Sequence, residues 1–187
     1  MSKRMTFLIF NVLGLEITWA ACAYGATHSM PLFGVIVGAI YLIIHFALTP
    51  SRRNDFLTMC CLAAIGISLD YINMRFEIIS FHQGVSDISF LPLWLVVLWC
   101  VFVLMIPHSL YWLRKRPVLS AALGGIGGSS SYWLGDKFGA IFLSEPLTIS
   151  IGVYFIQWAI YIIVAFSVLR FINHTTGYPA LTSPQKN

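Results

Sequence analysis

Long apolar stretches separated by short polar connections are the dominant pattern along this chain. The stretches are continuous, without the alternation of a half-buried β-strand, and six of them reach the roughly 20 residues that a helix needs to cross a bilayer. Continuous runs favour helices over a β-barrel, so we predict an all-α polytopic membrane protein built as a six-helix transmembrane bundle. The predicted spans are residues 5–26, 31–49, 55–75, 91–113, 117–138 and 146–171.

The connections between these spans are too short to hold a soluble domain. We therefore expect a single transmembrane domain over residues 1–175, followed by a polar cytoplasmic tail over residues 176–187. The longest external connection, residues 76–90, is rich in aromatic and aliphatic side chains. That composition suits an interfacial loop, or a lid over a site that faces outward.

Basic residues set the orientation of the bundle. If the N-terminus is cytoplasmic, nine of the 11 Lys and Arg residues fall on the inside, and only Arg75 and Lys137 fall outside. Cytoplasmic loops of membrane proteins carry such an excess of positive charge. We therefore predict that both termini are cytoplasmic, which agrees with an even number of spans.

The composition indicates that the solvent is lipid. The chain is 58% hydrophobic and 10% charged, with a mean hydropathy of +0.82, whereas soluble proteins carry about 25% charged residues. The net charge of +4 does not indicate a nucleic-acid partner, because the basic residues are spread over short connections. All four cysteines lie in apolar runs without a C-x-x-C pair, so we predict no disulfide framework.

Small residues form a stripe along the fifth predicted helix. Gly124, Gly128, Ser131, Gly135 and Gly139 recur three or four residues apart, which places them on one helix face. Such stripes let helix backbones approach closely in lipid, so we expect the fifth helix to be the central one. The stripe is also a candidate surface for a homo-oligomer.

Polar side chains at a common depth indicate an internal cavity. Glu16 lies about 16 Å from the cytoplasmic face at 1.5 Å per residue, and Asp70 falls within roughly one turn of that level. A carboxylate at this depth costs at least ~2.5–3.5 kcal/mol, so each should face the protein interior, and Arg75 is a candidate partner for Asp70. The predicted cavity residues are Glu16, Trp19, Asp70, Trp99, Ser129 and Gln157.

A second polar layer lies nearer the cytoplasmic face. Its members are Asn11, His45, Cys60, Cys61 and His108. No ligand spacing repeats among them, so we predict neither a metal site nor a cofactor. Pro107 is expected to kink the fourth helix and turn His108 inward. We identify no catalytic residues, since Ser129 and His108 would lie about 12 Å apart along the helix axis.

Several motifs resemble those of a family of small bacterial inner-membrane proteins, known only as a domain of unknown function. They are PLWLVVLWCVFVLMIPHSLYWL from Pro92, LGGIGGSSSYWLGDKFGA, the WAACAYGATH run of the first helix, and the region around Asp70. The resemblance covers roughly residues 8–170 and implies a bacterial inner (cytoplasmic) membrane location. It also implies a lipid context, because members are associated with genes for membrane fatty-acid modification. It implies no catalytic residues.

We therefore expect the chain to bind a membrane lipid or another apolar small molecule in an intramembrane cavity, since an aromatic wall with few polar groups suits an amphiphile. One alternative is a small membrane transporter or a substrate-binding subunit, although no convincing internal repeat is visible. Another is an intramembrane enzyme that uses Glu16 or Asp70 as an acid or base.

Overall fold

The computed structural model describes residues 2–81 and 90–177, without the side chain of Lys3. Its helices are α1 Lys3–Thr27, α2 Pro31–Leu48, α3 Arg52–Arg75, α4 Leu93–Val103, α5 Pro117–Lys137 and α6 Leu147–Thr176. A 3-10 helix, Tyr111–Lys115, precedes α5, and two short strands, β1 Ile79–Ser80 and β2 Phe142–Leu143, pair antiparallel. The predicted all-α class is confirmed.

Four of these helices, α1, α2, α3 and α6, are long and apolar enough to cross a membrane. Helix α4 is apolar, but its 11 residues reach only about 16 Å, which is shorter than the roughly 30 Å hydrocarbon core. Helix α5 has 21 residues, but many of them are glycine or serine instead of bulkier apolar residues. Large apolar side chains such as Ile43 and Phe171 are 71% and 70% exposed. These helices are compatible with a membrane protein.

The fourth predicted span is not one continuous helix. Proline at position 107 has no N–H to donate to the carbonyl of Val103, and its ring clashes with that carbonyl in a helix. Helix α4 accordingly ends at Val103, and the chain continues through turns to the 3-10 helix. Leu104 and Ile106 in these turns are fully buried. The helix therefore ends where a kink was predicted, and the turns that follow pass through the protein interior.

Helix α4, and not α5, lies at the centre of the bundle. It packs against α1, α2 and α3, whereas α5 packs mainly against α6, so the expectation of a central fifth helix is wrong. The small residues of α5 do allow close packing. A Cβ atom on Gly124 would lie 2.8 Å from the Ile162 side chain, and one on Gly125 would lie 2.9 Å from the Phe155 ring. This face is thus occupied within the chain, and a homo-oligomer through it stays a prediction.

The β1–β2 pair ties the connection after α3 to the connection after α5. Ile79 is opposite Leu143, and the Ser144 N–H donates to the Ile78 carbonyl at 3.1 Å. Strand β1 lies in the stretch 76–90 predicted as a loop or lid, of which residues 82–89 lie outside the described part. Helix α6 extends to Thr176, so only the beginning of the predicted tail is described.

Candidate functional site

A cavity of about 460 Å³ lies between α1 and α5, with α4 and α6 behind it. Cavities of roughly 300–1,000 Å³ with mostly apolar walls are typical of small-molecule sites. Five of the chain's six tryptophans line this one. They are Trp19, Trp94, Trp99, Trp112 and Trp158. A wall so rich in indole rings can contact an acyl chain or a flat apolar ligand over a large area.

Glu16 is the only charged residue among the described residues that line the cavity. Its side chain is exposed and has no hydrogen bond or ion pair with any residue in the ranges 2–81 and 90–177. Trp19, one turn further along α1, donates from Nε1 to Ser131 Oγ at 2.9 Å and so bridges α1 to α5. The Glu16 carboxylate is therefore free to bind a ligand group.

Two stacked tryptophans form part of the cavity wall. The rings of Trp99 and Trp158 lie 5.0 Å apart at an interplanar angle of 9°. Glycines on two other helices make room for them. A Cβ atom would lie 2.3 Å from the Trp99 ring if placed on Gly66, and 2.1 Å from the Trp158 ring if placed on Gly128. Four helices thus contribute to one packed row: Gly66 of α3, Trp99 of α4, Trp158 of α6 and Gly128 of α5.

Asp70 lies behind this wall. Its Oδ2 atom accepts hydrogen bonds from Trp99 Nε1 at 2.7 Å and from the Tyr132 hydroxyl at 2.5 Å, and the residue is 1% exposed. Both donors belong to residues that line the cavity. Arg75 is exposed and is not among the partners of Asp70 in the described structure, so the predicted ion pair is replaced by these two hydrogen bonds. The carboxylate positions the aromatic wall.

The six predicted cavity residues do not share one surface. Glu16, Trp19 and Trp99 line the cavity, whereas Asp70 and Gln157 line a recess of only about 10 Å³ on the other side of the tryptophan pair.

Ser129 and Gln157 are both engaged in structural hydrogen bonds. Ser129 Oγ donates to the Gly125 carbonyl within α5 at 2.7 Å, and Gln157 Oε1 accepts from Asn73 Nδ2 at 2.8 Å. Ser129 is not among the residues that line the cavity or the recess. Ligand binding by the predicted residues stays a prediction, and geometry supports it best for those that line the cavity.

A separate polar cluster surrounds Asp55. Its Oδ2 atom lies 3.1 Å from His45 Nε2, 2.9 Å from His108 Nε2 and 2.6 Å from Thr49 Oγ1. Its Oδ1 atom accepts from Ser51 Oγ at 2.9 Å. Three parts of the chain supply these groups: the end of α2, the α2–α3 corner with the first turn of α3, and the turns after α4.

The cluster continues towards α1 through His45. The Tyr41 hydroxyl lies 3.4 Å from His45 Nδ1 and accepts from Asn11 Nδ2 at 2.9 Å. Asn11 Oδ1 in turn accepts from Ser109 Oγ at 2.6 Å. The predicted second polar layer therefore exists for Asn11, His45 and His108.

Cys60 and Cys61 are exposed and are not part of this layer, while Asp55 was missing from the prediction. Its signal in the sequence is a carboxylate near a helix start, at the depth of both histidines. That depth alone does not reveal that the α2–α3 corner turns Asp55 inward.

Comparisons with known proteins add a family and no activity. A family model described as "Protein of unknown function (DUF2878)" matches residues 8–164. No curated protein and no solved structure matches the chain.

Proposed function

The chain belongs to this family of proteins of unknown function, DUF2878, and we propose on the geometry of its own residues that it binds a lipid or another amphiphile in the cavity between α1 and α5. The observation that carries the proposal is the wall itself, which contains five of the six tryptophans and one carboxylate, Glu16, without a partner among the described residues. Apolar walls with a small number of placed polar groups are what amphiphile sites require.

The cavity lies within the membrane in this proposal. The protein crosses a bacterial inner membrane six times with both termini in the cytoplasm. Support comes from the four long apolar helices, and from the nine of 11 Lys and Arg residues that lie on one side in this arrangement. Helix α4 and the turns after it together make the fourth crossing, and α5 makes the fifth, shielded from lipid on one face by α6.

The two ends of the ligand meet different surfaces. An acyl chain or other apolar body packs against the indole rings, where each buried CH₂ group contributes about 0.8 kcal/mol. A polar head group that carries a proton or a positive charge meets Glu16, and Trp19 next to it can pack on a cationic group. An acyl ligand also suits the association with membrane fatty-acid modification that the family resemblance implies.

Filling the cavity tests the proposal. Gly127 lines the cavity, and a Cβ atom there would meet nothing within 4 Å, so Gly127→Phe should fit without strain. We expect this variant to bind a long-chain amine at least tenfold more weakly, a loss of about 1.4 kcal/mol, and to co-purify with less lipid. Binding is measured by quenching of tryptophan fluorescence with a brominated long-chain amine, and lipid by native mass spectrometry.

The matched control is Ile126→Phe. Ile126 is the neighbouring residue on α5, is 55% exposed and does not line the cavity. It should keep wild-type binding and wild-type lipid content. Equal binding by both variants and the wild type would refute the cavity as the ligand site.

Glu16→Gln tests the role of the carboxylate. The substitution removes a charged acceptor, and hydrogen bonds to charged groups contribute about 1.5–3 kcal/mol, so affinity for a long-chain primary amine should fall by roughly 10–100-fold. Affinity for the alcohol of the same chain length should change less than about twofold, because the amide still accepts a hydrogen bond. Parallel titrations with the two probes measure the difference. An equal loss for both probes would contradict a charge-selective site.

A further inference from the structure

Three side-chain atoms lie within hydrogen-bond distance of one carboxylate oxygen in the cluster around Asp55, which is crowded if all three donate. Three groups point at Oδ2: Thr49 Oγ1, His108 Nε2 and His45 Nε2, at 2.6, 2.9 and 3.1 Å. A carboxylate oxygen offers two lone-pair sites, so three donated protons would crowd one side of the group. The crowding disappears if the two imidazoles present lone pairs to a cation.

The cluster also holds a negative charge in a closed interior. His45, Asp55 and His108 are 0%, 1% and 6% exposed in their side chains. Among the described Lys and Arg side chains, which exclude Lys3 and Lys186, none forms an ion pair with Asp55. Buried charges in proteins are paired or coordinate metals. A positive charge is therefore needed here, either a protonated imidazole or a bound cation.

We propose that His45 Nε2, Asp55 Oδ2 and His108 Nε2 bind a divalent transition-metal ion. The three ligand atoms all lie within 4.8 Å of one another. Tetrahedral coordination at bond lengths of 2.0–2.1 Å separates ligand atoms by about 3.3–3.4 Å. Binding therefore opens the two His–Asp contacts of 3.1 and 2.9 Å slightly, and it brings the two Nε2 atoms, which lie within 4.8 Å of each other, to the same spacing. Two imidazoles and one carboxylate form a ligand set that Zn²⁺ accepts. A water molecule or the Thr49 hydroxyl completes the coordination.

Residues around the three ligands have the arrangement of a metal's outer shell. A metal on Nε2 leaves the proton of His45 on Nδ1, which then donates to the Tyr41 hydroxyl oxygen, 3.4 Å away. Ser51 Oγ donates to Asp55 Oδ1 and fixes the carboxylate. The Phe7 ring packs 5.5 Å from the His45 ring and 5.0 Å from the His108 ring, which covers the site.

The ion has a structural role in this arrangement. None of the three ligands lines the amphiphile cavity, so the site is independent of the function proposed above. The ligands belong to α2, α3 and the turns after α4, and one ion joins these three segments. The three ligand side chains are at most 6% exposed, so the ion lies in the protein interior.

Metal content tests the site directly. Full-length protein, purified in detergent through a tag without histidines, is loaded with equimolar Zn²⁺ or Co²⁺ and freed of unbound ion. We expect about one ion per chain and the visible absorption of four-coordinate Co²⁺. His108→Gln should lose the ion and the absorption band, whereas His174→Gln should keep both, because His174 is exposed at the end of α6. Tyr41→Phe should weaken binding by roughly 10–100-fold.

The competing arrangement is a hydrogen-bonded imidazolium–carboxylate triad without a metal. Wild-type protein that retains no ion after loading would establish that arrangement and overturn the proposal. Equal metal content in wild type and His108→Gln would overturn it as well. If His108→Gln does not fold, thermal unfolding of the wild type decides: a chelator should lower the midpoint and Zn²⁺ should restore it. An unchanged midpoint would overturn the site.

Discussion

Asp70→Ala is expected to lower the free energy of unfolding by about 2–6 kcal/mol, because it leaves two buried donors without an acceptor. Trp99 Nε1 and the Tyr132 hydroxyl both donate to Asp70 Oδ2. Each orphaned donor costs about 1–3 kcal/mol when no water replaces the lost partner. Thermal unfolding in detergent, followed by intrinsic fluorescence, measures the loss.

Two variants make this prediction specific to the buried contacts. Asp70→Asn keeps one oxygen that can accept from both donors, so its loss should be clearly smaller. Asp136→Ala removes a half-buried carboxylate that accepts from the backbone N–H of Leu143 at 3.0 Å, and its loss should be about 1 kcal/mol. Equal losses for Asp70→Ala and Asp70→Asn would show that the two hydrogen bonds do not hold the aromatic wall.

Gly128→Leu is expected to destabilise the protein by roughly 3 kcal/mol, near the upper end of the cost of overpacking. A Cβ atom on Gly128 would lie 2.1 Å from Cγ of Trp158, so the indole ring has to move. Trp158 is stacked on Trp99, whose other side faces Gly66, and the displaced ring has no space in that direction. The midpoint of thermal unfolding is the measurement.

Gly127→Leu is the matched control, one residue away on the same helix. A Cβ atom there meets nothing within 4 Å, and leucine has the same helix propensity at both positions. Gly127→Leu should therefore unfold at or above the wild-type temperature, since leucine is a better helix former than glycine. A similar fall for both variants would contradict the packing of Trp158 against Gly128.

Hydrophobic patterning was sufficient to predict α1, α2, α3 and α5 to within three residues at each end, whereas α6 extends five residues beyond its predicted end at 171. The fourth was predicted as a single span over 91–113 because an apolar run continues through it. Pro107 explains why the helix is interrupted near Val103, but prolines in membrane helices produce either a kink or a break. Which of the two occurs depends on whether neighbouring segments can bond the freed backbone groups.

The site was predictable only in part, because depth along a helix does not fix direction around it. Glu16, Trp19 and Trp99 line one cavity, while Asp70 at a similar depth lies behind the aromatic wall. Ser129 bonds to its own helix, as serine commonly does in apolar surroundings. Trp158, which completes the wall, carried no polar signal and was not selected from the sequence.

The small-residue stripe of α5 likewise predicted a local feature, a close helix contact, but not the arrangement of the helices. Its spacing predicted a close helix contact, and the contact exists, but the partner is α6 and the central helix is α4. The spacing of glycines indicates how closely another helix can approach, but it does not identify which helix that is. Adjacency is decided by the lengths of the connections and by the whole set of contacts.

The position of the cavity between α1 and α5 has a consequence for biosynthesis. One wall comes from the first and fourth helices to leave the ribosome, and the other comes from the last hairpin. Chains emerge from their N-terminus, so the indoles of α1 and α4 are in place before α5 and α6 arrive. In the membrane arrangement proposed above, lipid or an insertion factor covers that surface until α5 and α6 arrive. One wall of the cavity is then already in contact with its first occupant before the other wall is synthesised.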